Sequence, residues 1–116
     1  MEEQNLVDEI VELIKDKKGF DITVLNLKNL SAVADYFIIC SGDVDVHVKA
    51  IADEIDKKLR KDGIKCHNKE GYNALNWVLL DYFDVVVHVF KKDARTYYNL
   101  EKLWGDADIT EIENTN

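Results

Sequence analysis

The sequence predicts an α/β chain of the α+β kind, a mixed sheet with helices packed on it, in the order α-β-β-α-β-β-β-α. Three observations carry that prediction. Leu6, Val7, Ile10, Val11 and Ile14 recur at helical spacing, and so do Val48, Ile51, Ala52, Ile55 and Leu59. Tyr36 to Cys40 is a continuous apolar run of aromatic and β-branched residues, which suits a buried central strand. Two further apolar runs, near Ala74 to Tyr82 and Val85 to Phe90, are separated only by Phe83 and Asp84, the length of a tight hairpin.

The elements follow in order. The first helix has Asp8, Glu9, Glu12 and Lys15 opposite its apolar stripe and ends where Lys17 and Lys18 precede Gly19. Ile22, Val24, Leu25 and Leu27 suggest a strand, and the central strand after it exits at Gly42. Asp43 or Asp45 can cap the second helix, which ends in Lys57, Lys58, Arg60, Lys61 and then Gly63. A short strand is predicted near Ile64 to Asn68, with a turn around Glu70-Gly71 before the hairpin. A last helix from about Asp93 to Trp104 carries Tyr97, Leu100 and Trp104 on one side and stops at Gly105.

The chain has 116 residues, 47% of them hydrophobic, enough for one domain, placed at residues 1–105. Residues 106–116 are acidic and poor in apolar side chains, so a frayed C-terminal tail is expected. The formal net charge of −8 disfavours a general nucleic-acid binder, which gains its affinity by neutralising phosphates. The longest uncharged run, Gly71 to Leu80, falls far short of the roughly 18 residues of a membrane span. The N-terminus lacks the basic and apolar regions of a signal peptide, so a cytoplasmic chain is expected. Cys40 and Cys66 form no CxxC and suggest neither a disulfide framework nor a zinc site.

The hairpin register sets two faces. Tyr82 opposite Val85, Leu80 opposite Val87 and Val78 opposite Val89 make the face packed by helices. The other face pairs Asp81 with Val86, Leu79 with His88 and Trp77 with Phe90. Two readings of that second face stay open. It is either a second buried layer in which His88 and Asp81 bond to each other or to backbone, or a partner surface anchored by Trp77.

Nothing in the sequence matches GxGxxG, GxxxxGK[ST], HExxH or GxSxG, and His47, His67 and His88 have no ligand-like spacing. His47 is expected as a solvated residue in the first turn of the second helix, and Cys40 as a small hydrophobe. Ser41-Gly42-Asp43-Val44-Asp45 is the one phosphate-like segment. A nucleotidyltransferase uses a Gly-Ser turn for phosphate and a later Asp-x-Asp on a strand for two metal ions. Here the order is Ser-Gly and the aspartates sit at a helix start, where capping accounts for them without metal.

Asp35-Tyr36-Phe37-Ile38-Ile39-Cys40-Ser41-Gly42 and His47-Val48-Lys49-Ala50-Ile51-Ala52-Asp53 closely resemble the ribosomal silencing factor family, also called RsfS or Iojap. Glu70-Gly71, Trp77 to Tyr82, Asp84 to Phe90, Arg95 and Tyr97 to Trp104 continue the resemblance in the same order and spacing, so that it spans about Leu6 to Trp104. The resemblance implies a nucleotidyltransferase-like fold without the catalytic motif, no enzymatic activity and no cofactor. It also implies binding of the large ribosomal subunit at ribosomal protein fourteen, a block to joining of the small subunit, and a possible homodimer. By the same resemblance the partner-binding residues are Trp77, Leu79, Asp81, His88, Glu70 and Tyr98. No membrane contact and no sequence-specific contact with nucleic acid are expected. Two positions depart from the family: Phe83 stands where a hairpin glycine is usual, and Asp43 to Val46 replace a loop rich in Thr and Ser with an Arg. Two other functions compete, a nucleotidyl or phosphoryl transferase using Asp43 and Asp45 with magnesium, and an assembly module whose Trp77 face serves only dimerisation.

Overall fold

The computed structural model describes residues 2–113. Helix α1 (Glu3–Asp16) buries Leu6, Val7, Ile10, Val11, Leu13 and Ile14, the predicted stripe with one addition. Strand β1 (Phe20–Asn26) leads into β2 (Tyr36–Gly42), and helix α2 (Asp45–Lys61) buries Val48, Ile51, Ala52, Ile55 and Leu59 as its spacing requires. After β3 (Asn68–Glu70), β4 (Trp77–Asp81) and β5 (Val85–Lys91) come two short helices, α3 (Lys92–Tyr98) and α4 (Leu100–Leu103), and strand β6 (Asp108–Ile112).

The strands form one mixed sheet in the order β3-β4-β5-β2-β1-β6. The central pair, β2 and β5, is parallel, and the other neighbours are antiparallel. Central position explains the continuous apolar runs: Ile38, Ile39, Cys40, Val85, Val87, Val89 and Phe90 are fully buried because both faces of these strands are covered. The hairpin register is the predicted one, with Trp77 opposite Phe90, Leu79 opposite His88 and Asp81 opposite Val86. The Tyr82 N–H donates to the Val85 carbonyl at 2.9 Å across the turn. Phe83 occupies the left-handed position there (φ 67°), and its N–H donates to the Asp81 carboxylate at 2.8 Å.

Two cores flank the sheet. The larger lies under α1 and α2 and includes Val78, Leu80, Tyr82, Val85, Val87 and Val89. The smaller lies on the opposite face, where Leu25, Leu27, Ile39, Phe90 and Leu100 pack with Phe37, Trp77 and Trp104. The second face is covered over β5 and β2 by α3, while on β4 Trp77, Leu79 and Asp81 are only half-buried and β3 is exposed.

Four expectations need correction. The third strand is Asn68–Glu70 rather than Ile64 to Asn68, because the Ile64 N–H closes the end of α2 on the Leu59 carbonyl. The fourth strand begins at Trp77, not Ala74, after a turn that holds Leu75 at φ 60°. The last helix breaks at Asn99 (φ 46°), a residue type that tolerates the left-handed region. That break turns Tyr97 outward, at 76% exposure, while Leu100 is buried. Finally, residues 108–112, expected within a frayed tail, form β6 and pair with β1 from Ile22↔Ile112 to Asn26↔Asp108. Residues 114–116 of that expected tail lie outside the described residues.

Candidate functional site

Strand alternation places Trp77, Leu79 and Asp81 on the sheet face away from α1 and α2, each half-buried. Trp77 is held on three sides. Its ring stacks on Phe90 at a centroid distance of 4.9 Å, Tyr98 of α3 lies 5.0 Å away, and its indole N–H donates to His88 Nδ1 at 3.0 Å. Trp77 and His88 are diagonal neighbours on adjacent strands, a spacing that long aromatic side chains span. His88 in turn lies 4.5 Å from the Phe37 ring, which meets Trp104 edge-on at 5.8 Å.

Of the six residues assigned to partner binding, the structure brings Trp77, Leu79, His88 and Tyr98 together. Glu70 is exposed on β3 opposite Leu79 and adds a carboxylate at the rim. Asp81 lies at the far end of β4, bonded to the turn. His88 is a correction: it is only 3% exposed, and its bond goes to Trp77 rather than to Asp81. Burial pushes the imidazole down to about 4, so it is neutral near pH 7. The sequence also missed Tyr97, exposed and 5.1 Å from the Tyr98 ring at this face, because an unbroken helix would have put it on one side with Leu100.

The transferase segment is organised differently. Asp43 reaches Lys92 at 3.5 Å and Asp45 reaches Lys91 at 3.0 Å, so each carboxylate has its own lysine. Neither caps α2, whose N-cap is Val44 with no side-chain bond. His47 is not simply solvated: its Nδ1 accepts the Asp43 N–H at 2.8 Å and its Nε2 lies 2.7 Å from the Lys17 carbonyl, joining the start of α2 to the end of α1. Ser41 is buried and accepts from Arg95 Nη1 at 3.1 Å. Arg95 also donates to the Asp21 carbonyl, to Thr23 Oγ1 and to Glu101, so its guanidinium is committed within the wall of the adjoining cavity of about 490 Å³. Among the described residues, the group of three acidic side chains close enough to share a cation is Glu3, Asp35 and Asp84. Hydrogen bonding with Asp35 raises the Glu3 carboxyl above its usual range. Burial pushes the Cys40 thiol up to about 12, which makes it a hydrophobe at neutral pH.

The family model described as "Ribosomal silencing factor during starvation" matches residues 1–116. The chain belongs to the ribosomal silencing factor family. A ribosomal silencing factor of Halalkalibacterium halodurans is 49% identical over 113 residues, covering 97% of each chain. A crystal structure from Chromobacterium violaceum superposes with a TM-score of 0.88 at 38% identity, covering 90% of this chain and 88% of that one. A mouse protein named for mitochondrial assembly of the ribosomal large subunit is 30% identical, covering 84% of this chain and 44% of its own length. The bacterial relatives are named as ribosomal silencing factors. As a member of the ribosomal silencing factor family, the chain has a ribosome-associated role in silencing translation. Among the described residues, no helix is long and apolar enough to cross a membrane.

Proposed function

We propose that this ribosomal silencing factor binds the large ribosomal subunit at ribosomal protein fourteen and sterically prevents the small subunit from joining, with no catalytic step. The observation that carries the reading is Trp77, a large aromatic held half-exposed by Phe90, Tyr98 and His88 on an open stretch of sheet. Leu79 extends the apolar centre, and Glu70 and Asp81 supply carboxylates around it. Anchors of this kind dominate binding energy when a polar rim excludes water. The name of the mouse relative, which refers to assembly of the large subunit, points the same way. A cytoplasmic location, as expected from the sequence, is compatible with this reading, and a homodimer in isolation would use apolar surface that the ribosome otherwise covers.

Cosedimentation of Trp77→Ala with separated large subunits tests the reading. The variant should keep the circular dichroism of the parent and lose roughly 2 kcal/mol or more of binding. A folded Trp77→Ala protein that binds as tightly as the parent would move the docking surface elsewhere.

A further inference from the structure

We infer that His88 is a positioning residue for partner docking: its Nδ1 fixes the Trp77 indole on the open face, so affinity depends on a side chain that the partner does not touch. The inference rests on the proposed docking of the Trp77 face. An indole N–H can only donate, so His88 Nδ1 must be the acceptor at 3.0 Å and must carry no proton. In the neutral ring the proton then sits on Nε2. That Nε2–H is buried and has no acceptor among the described residues.

An unpaired buried donor is costly, and a leucine or phenylalanine at this position would avoid it. Among the described residues, the one polar contact that the His88 side chain gains in exchange is the bond to Trp77. Phe90 and Tyr98 constrain the faces of the indole, but neither accepts its N–H. Without His88 the N–H is satisfied only by turning toward water, which lifts the ring off Phe90. Holding the indole in its docked orientation beforehand removes an ordering cost from binding. Direct contact cannot account for such a dependence, since His88 is 3% exposed.

Trp104→Phe leaves Trp77 as the sole tryptophan and serves as the parent for the test. His88→Leu removes the acceptor, whereas His88→Asn keeps one at the δ position. Two quantities are read: hydrogen exchange of the Trp77 indole N–H by NMR, and affinity for isolated large ribosomal subunits. In His88→Leu the indole proton should exchange at least about tenfold faster and affinity should fall about tenfold. His88→Asn should restore both. A benzothienyl analogue at position 77, with sulfur replacing the N–H, has no donor to satisfy, so in that background His88→Leu should cost no further affinity. If His88→Leu binds like the parent, or weakens the benzothienyl protein as much as it weakens the parent, while Trp77→Ala binds weakly, docking stands and the positioning role is overturned. If Trp77→Ala also binds like the parent, the docking face itself is wrong and the inference falls with it.

Discussion

Val87 and His88 are neighbours on β5 that face opposite ways, and they fail differently when changed. Val87 is fully buried under α1 and α2, so Val87→Ala should cost about 2 to 4 kcal/mol in a denaturant titration. His88 adds a pH dependence. Its folded pKa is lowered to about 4 from 6.5 by burial, so between those values the unfolded chain binds the extra proton. Its full contribution is present above about pH 6.5 and is lost as pH falls toward 4, by about 3 kcal/mol at most. The difference between the parent and His88→Asn, measured by chemical denaturation at several pH values, should shrink across that window and level off below it. The alternation of β4 and β5 made the two faces legible, and with them the company of Trp77, Leu79 and His88. The Trp77–His88 bond was not legible, because alternation fixes a side but not which diagonal neighbour a ring nitrogen meets.

At the scale of elements, the helices read cleanly because α1 and α2 each bury one stripe against one sheet face. The C-terminal third did not. α3 buries no residue and α4 buries only Leu100, so little periodicity marked where the helix breaks at Asn99. β6 was hidden because four of its five residues are exposed, leaving an acidic segment whose structure comes from pairing with β1. Truncation after Gly105 therefore has a sharp outcome. It exposes the outer edge of β1 and uncovers Ile112's contact with the core, and the melting temperature should drop by several degrees, at about 4–8 °C per kcal/mol for a chain of this size. An unchanged melting temperature would mean that the strand contributes nothing. The Glu70-Gly71 turn makes a second case. A Cβ on Gly71 would sit 1.9 Å from the Trp77 carbonyl oxygen, and the residue has φ +91°. Gly71→Ala should cost about 2 kcal/mol or more, read by thermal or chemical unfolding, and should disturb the start of β4 where the docking tryptophan is seated.

The whole molecule is a body of about 35 × 34 × 29 Å with net charge −8. Such a charge repels bare RNA but favours encounter with a basic protein patch, and an apolar centre then slows dissociation. Ion pairs occupy the two aspartates that a transferase would need, while Arg95 ties α3 to β1, β2 and α4. What remains available on the second face is surface for contact. Silencing by obstruction requires only that the protein stay bound where the small subunit must dock. The most direct measurement is subunit joining: large subunits are preincubated with the wild-type protein, small subunits are added, and joined ribosomes are counted on a sucrose gradient. The account predicts fewer joined ribosomes with wild type and recovery with folded Trp77→Ala. Tight binding of the wild type to large subunits with undiminished joining would contradict it.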